Sequence, residues 1–267
     1  MILNNKRCEH EVCVLRLHRH LFAPERVSNR DEVIGYNKKT ELVISAAASL
    51  QDALKEIEST YNDEHPNVTL TNNFGSSGAL KQQIAQGAKA DLFFSAAEAP
   101  FDELVKSGDI DQHFIKDAIQ NELVLIVPKD HSSSIKSFQD VQHIKGKVAL
   151  GTPESVPAGT YGKEIFTKLN IWDQVKKNAV YGKDVRQVLS YVETGNVEAG
   201  LVYKTDALVS KKVKIAAEAN QDMHSPIIYP VGIVKGTEHL EEAKSFFQFL
   251  QSKAAKSIFK KYGFQVT

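Results

Sequence analysis

The sequence predicts a doubly wound α/β fold, and three observations predict it. From residue 40 onward, apolar runs of strand length alternate with segments whose apolar residues recur at helical spacing. One of those segments, ADLFFS at 90–95, holds a continuous apolar run, as in a parallel sheet covered on both faces. Glycines at 87, 108 and 195 close helical segments.

Residues 41–57, ELVISAAASLQDALKEI, set the pattern. Leu42, Val43 and Ile44 read as a buried strand, and Leu50, Ala53, Leu54, Ile57 and Tyr61 repeat at helical spacing. Ser49 stands at the join as an N-cap type, with Asp52 in the place of a capping-box acid. A short strand follows at 68–72, then a loop, NFGSSG at 73–78, and a helix with Leu80 and Ile84 inward. After the strand at 90–95, Pro100, Phe101, Leu104 and Val105 mark another helix. NELVLIVP at 121–128 is a strongly apolar strand, and past the polar turn at 129–134 a second set of α/β units begins. KVALG at 147–151 is a strand, and PESVPAG at 153–159 is an irregular loop before a helix with Tyr161, Ile165 and Leu169 on one face. Asp184 caps a helix carrying Val185, Val188, Leu189 and Val192. Strands at 197–203 and 227–234 precede two C-terminal helices, around 240–250 and 252–262.

The chain has 267 residues, 42% of them apolar and 25% charged, ordinary values for a soluble globular protein. Its formal net charge is zero, which gives no bulk attraction to nucleic acid or to an anionic membrane. No run of about 18 apolar residues is present. Residues 1–39 differ from the rest: they are basic, hold both cysteines (Cys8 and Cys13) and lack sustained periodicity. The spacing of Cys8, Cys13, His18 and His20 matches no familiar zinc pattern, and Arg16 interrupts the best apolar stretch, so no signal peptide is recognisable. These residues read as a disordered extension.

Four segments share one chemical character. Ser49 and Ser77 stand at strand-to-helix turns, Ala158 in a Pro-Ala-Gly turn before a helix, and Val185 in the first turn of the Asp184-capped helix. Each offers backbone N–H groups at a helix start, where an anion is favoured. Tyr203 ends a strand, where an α/β sheet places its ligands. Neutral donors suit an anion without a proton, whereas phosphate would also need an acceptor. Each feature has an ordinary structural reading as well. Gly75 and Gly78 serve a tight turn, Ser76 and Ser77 face solvent, and Tyr203 is a core aromatic. Enzyme motifs are missing. GSSG lacks the G-x-S-x-G spacing, PAGTYGKE at 157–164 departs from a phosphate loop at both ends, H-E-x-x-H is absent, and His113, His131, His143 and His224 form no pair.

AAASL at 46–50, FGSSGALKQQI at 74–84, ADLFFSA at 90–96, PESVPAGTYGKE at 153–164, DVRQVL at 184–189, GLVYKTDA at 200–207 and FKKYGF at 259–264 resemble, in this order, the molybdate-binding proteins of molybdate ABC importers. The resemblance covers about residues 40–267. It implies a two-lobed type II periplasmic-binding-protein fold, each lobe a doubly wound sheet with flanking helices and the ligand cleft between them. Residues 40–121 with 229–267 form one lobe and 122–228 the other, joined by crossover strands at 121–128 and 227–234. The resemblance puts the oxyanion contacts on Ser49, Ser77, Ala158, Val185 and Tyr203, with GSSG standing where many relatives have a run of serines. It implies a monomeric, non-catalytic protein without a cofactor, binding molybdate and also tungstate, and partnered by the permease and ATPase of an importer. Family members are extracytoplasmic, periplasmic or lipid-anchored, although Cys8 and Cys13 lack the setting of a lipidated cysteine. A binding protein for sulfate or for a metal cation is the nearer alternative, though a cation site needs carboxylates, Tyr or His and the expected contacts hold only one such residue. An enzyme on this fold is the more remote one.

Overall fold

The computed structural model describes residues 39–130 and 134–266. The readings made on the N-terminal extension, its cysteines and histidines included, lie outside the described residues. β1 (Thr40–Ala47) passes through a 3₁₀ turn, Ala48–Leu50, into α1 (Gln51–Glu64). The face of α1 with Ala53, Leu54, Ile57 and Tyr61 is buried, as their spacing requires. β2 (Val68–Gly75), α2 (Ser77–Ala85), β3 (Leu92–Phe94) and α3 (Glu98–Ser107) follow. α3 stops at Gly108, whose φ of 85° is the left-handed conformation that glycine adopts without a Cβ penalty. β4 (Ile110–Gln120) and β5 (Leu123–Pro128) are separated only by Asn121 and Glu122.

The second run comprises β6 (Val148–Gly151), α4 (Pro157–Lys168), α5 (Trp172–Val175), β7 (Ala179–Gly182), α6 (Val185–Glu193), β8 (Ala199–Tyr203), α7 (Lys204–Val209) and β9 (Val213–Glu218). α6 is capped by Asp184 and buries Val185, Val188, Leu189 and Val192, in agreement with its sequence pattern. β10 (Ile228–Val234), α8 (Leu240–Phe249), α9 (Lys253–Lys261) and β11 (Gln265–Val266) close the fold.

The strands form two mixed sheets within one packed unit. The first has the order β11-β4-β10-β3-β1-β2, and the second β7-β6-β8-β5-β9. β1 is parallel to β2 and β3, and β6 to β7 and β8, as the strand–helix alternation requires. Both sheets also take in antiparallel strands: β10 between β3 and β4 and β11 at the edge beside β4 in the first, and β5 between β8 and β9 in the second. α2 and α3 cover one side of the first sheet through Leu80, Ile84, Phe93, Phe101 and Leu104, while the other side joins the main core.

The chain passes between sheets at Asn121 and Glu122 and returns over residues 219–227, with Asn121 N–H bonded to Ile227 O at 3.2 Å. The strands expected to make this crossing do not: β5 lies wholly in the second sheet and β10 wholly in the first. Their apolar runs need two sheet neighbours each, which a strand bridging two sheets would lack. β4 is absent from the sequence reading. Its IDQHFIKDAIQ is mostly polar because much of it is solvent-facing, and no run of apolar residues announces it.

Candidate functional site

Six segments from both sheets converge on a small cavity. They contribute Ala47, Ala48 and Ser49 after β1, Gly75, Ser76 and Ser77 between β2 and α2, Ala96 after β3, Val156, Pro157 and Ala158 entering α4, Val185 heading α6, and Tyr203 ending β8. Ser49, Ser77, Ala158, Val185 and Tyr203, the five residues singled out from the sequence, all stand on this wall, and no wall residue is charged. The two sides meet closely. Gly78 N–H donates to Ser155 O at 3.0 Å, and a Cβ at position 78 would lie 2.6 Å from that oxygen. The glycine is there for this approach, beyond any role in the turn.

Ser49 does not cap α1. The 3₁₀ turn moves the helix start past it, so Leu50 takes the N-cap position and no side chain caps it. The Ser49 hydroxyl pairs instead with the Tyr229 hydroxyl at 2.9 Å. Asp52 serves no capping box, because its carboxylate binds the Arg186 guanidinium at 2.5 Å. The two loop serines divide their labour, and both are buried rather than facing solvent. Ser76 is the N-cap of α2, accepting from Ala79 N–H at 3.4 Å. Ser77 Oγ accepts from Ala96 N–H at 2.8 Å, which occupies a lone pair and leaves its proton to donate.

Two walls supply backbone donors. α4 begins with Pro157 at its first position, which has no N–H, so the first orphan donor of the helix is that of Ala158. Val185 is the first residue of α6; the Asp184 carboxylate takes the Gln187 N–H at 2.8 Å, and Val185 N–H lies ahead of any intrahelical acceptor. Tyr203 is 2% exposed, and its hydroxyl meets no partner in full hydrogen-bonding geometry, although the Tyr229 hydroxyl lies beside it. Burial pushes its pKa well up, so it remains a protonated donor. A buried hydroxyl without a partner costs about 1–3 kcal/mol. A small anion carrying no proton would relieve that cost and accept from every donor around the cavity.

A larger hollow lies among Glu98, Asp102, Glu103, Glu154 and Glu164, with Lys81 alone opposing them. Its charge is wrong for an anion, and the smaller cavity fits the chemistry better. Among the described residues, no cluster of three or more His, Cys, Asp or Glu could hold a metal ion. Arg186, next to Val185, ties the two sides together: it binds Asp52 of α1 and, at 2.8 Å, Asp206 of α7. Burial works against the guanidinium charge, but Asp206 and Asp52 outweigh it and hold its pKa above the usual value. Asp206 is fully buried; burial raises its carboxyl to about 6 against the opposing pull of Arg186.

The sequence reading missed Tyr229 and Asn121 behind Ser49, and Arg186 and Asp206 behind Val185. Asn121 gave one faint signal, a polar residue heading the apolar run NELVLIVP.

A family model described as bacterial extracellular solute-binding protein matches residues 42–265. A Bacillus subtilis protein named as a candidate ABC transporter substrate-binding lipoprotein is 61% identical over 227 residues, covering 85% of this chain and 87% of its own. The molybdate-binding protein of Haemophilus influenzae is 38% identical over 228 residues, covering 84% of this chain and 89% of its own. The substrate-binding domain of a candidate molybdenum ABC transporter from Clostridium difficile superposes with a TM-score of 0.66 at 41% identity, over 85% of this chain and 99% of that one. The periplasmic molybdate-binding protein of Azotobacter vinelandii shares the fold, with a TM-score of 0.76 at 23% identity over 85% and 99% of the two chains.

Proposed function

This chain belongs to the bacterial extracellular solute-binding proteins, and from that membership we propose that it captures molybdate, and tungstate with it, and delivers the anion to the permease of an ATP-driven importer. The ligand sits in the cavity between the sheets. Hydroxyls of Ser49, Ser77 and Tyr203 and the N–H groups of Ala158 and Val185 donate to its oxygens. The metal keeps its four oxygens, no bond is made or broken, and the protein acts as a monomer outside the cytoplasm. Residues 40–121 with 229–267 move as one lobe and 122–228 as the other.

The observation that carries this reading is the buried, unpartnered Tyr203 hydroxyl on a cavity wall without charge. Molybdate, tungstate and sulfate carry no proton at neutral pH. Phosphate does, and its proton would meet donors only, at a cost of about 1–3 kcal/mol. Sulfate is smaller and cannot reach every donor at once. The affinity order is therefore molybdate near tungstate, then sulfate, then phosphate. The test is a thermal melt with each anion at matched ionic strength. Ligand at about a thousand times its Kd stabilises the fold by about 4 kcal/mol, a rise on the order of 10 °C for a chain of this size. A phosphate shift equal to that of molybdate would sink the donor-only site, and no molybdate shift would sink the assignment.

A further inference from the structure

Behind Ser49 a line of buried polar groups runs to the point where the chain leaves the first sheet. The Asn121 amide has one possible orientation. Glu122 N–H donates to one of its terminal atoms at 2.9 Å, so that atom is the oxygen and the other is the NH₂. The NH₂ has two protons and two acceptors, Thr205 Oγ1 at 3.0 Å and Tyr229 Oη at 3.1 Å. Tyr229 Oη thus receives one proton and must place its own. It is fully buried, and Ser49 Oγ stands 2.9 Å away. Ser49 Oγ accepts that proton, and its own turns to the cavity it lines. With Ser49 donating instead, the Tyr229 proton would have no acceptor in hydrogen-bonding geometry, since the neighbouring Tyr203 hydroxyl does not meet it.

We infer that Asn121 and Tyr229 are positioning residues: a one-way chain from Asn121 through Tyr229 obliges the Ser49 hydroxyl to donate to the bound anion, and so disfavours an oxyanion that carries a proton. The inference deepens the oxyanion reading and rests on it. Neither residue lines the cavity, so neither acts by contact with the ligand.

Calorimetry of the full chain with molybdate, sulfate and phosphate, at pH 7 and fixed ionic strength, tests it. Tyr229→Phe keeps the ring and frees Ser49 to rotate. Asn121→Asp replaces the donor by an acceptor, which draws the Tyr229 proton away from Ser49 and reverses the chain. The relay expects Tyr229→Phe to weaken molybdate about fivefold or more. It also expects Ser49→Ala to cost less in the Tyr229→Phe background than in the wild type, since coupled groups are not additive. Asn121→Asp lowers the molybdate-to-phosphate affinity ratio by about tenfold and leaves the molybdate-to-sulfate ratio nearly unchanged, the added charge repelling those two dianions alike. Equal costs of Ser49→Ala in the two backgrounds, or a ratio unchanged in both Tyr229→Phe and Asn121→Asp, would overturn the relay while the wild type still binds molybdate. A wild type that binds no molybdate overturns the functional reading and the relay together.

Discussion

Ser76 and Ser77 are adjacent, both buried and both on the cavity wall, and each Oγ accepts one backbone N–H and keeps its proton, so titration rather than hydrogen bonding tells which of them serves the anion proposed for the cavity. Ser77→Ala removes the acceptor of the buried Ala96 N–H, which costs the unliganded protein about 1–3 kcal/mol. It also removes a hydroxyl donated to a charged acceptor, worth about 1.5–3 kcal/mol of binding. At about 2 kcal/mol that is roughly a thirtyfold loss of molybdate affinity. Ser76→Ala removes the α2 N-cap, a loss of about 0.5–2 kcal/mol in stability, and, with the anion contact on Ser77 as proposed, leaves affinity within about twofold. Both variants melt lower, by about 2–4 °C per kcal/mol for a chain of this size, so stability alone does not tell them apart. Calorimetric titration with molybdate on folded samples of each does. An affinity loss in Ser76→Ala equal to or larger than that in Ser77→Ala would refute the assignment of the donated proton.

Tyr203→Phe should separate binding from stability in the other sense. The unliganded protein loses a buried hydroxyl that has no partner and melts no lower than the wild type, while molybdate affinity falls about tenfold or more. The buried Asp206 carboxyl, raised to about 6, gives a pH dependence. The native state holds its proton over the window from about 4, where the unfolded chain releases it, to about 6. The stability it contributes is full below that window and is lost as pH rises through 6, by roughly 3 kcal/mol. Melts across pH 4–8 should show the wild type losing stability relative to Asp206→Asn as pH rises, and parallel curves would contradict the buried charge.

Much of the fold is local in the sequence. The α1 and α6 faces, the Asp184 cap, the Gly108 stop and the two C-terminal helices follow from spacing and from residues within one turn of each other. β4 escaped because a strand with one face in water and mixed polarity has no sequence mark of its own. The site divides the same way. Helix-start donors at Ala158 and Val185 are visible from Pro157 and Asp184 nearby. The partners that orient the hydroxyls are not: Tyr229 lies 180 residues from Ser49 and 108 from Asn121, and only the packed sheets bring them together. Ser49 shows the danger of a local argument. It has the right residue type for a cap, but a single 3₁₀ turn puts it out of reach and frees it for the cavity.

Arg186 has two carboxylates of unequal exposure, and the inequality bears on how the seam between the sheets can part. Asp206, on the same side as Arg186, is wholly buried, whereas Asp52, across the seam, has 35% of its side chain exposed. Separating the two sides breaks only the outer pair, which at such exposure is worth about 1 kcal/mol or less, and Asp52 is rehydrated at once. The inner pair travels as a unit. Had the buried carboxylate been the one across the seam, each opening would have stranded a charge in a dry interior, at several kcal/mol. On the reading proposed above, this arrangement would let the seam part without an electrostatic barrier, leaving the Gly78–Ser155 hydrogen bond and the proposed anion to hold the two sides together.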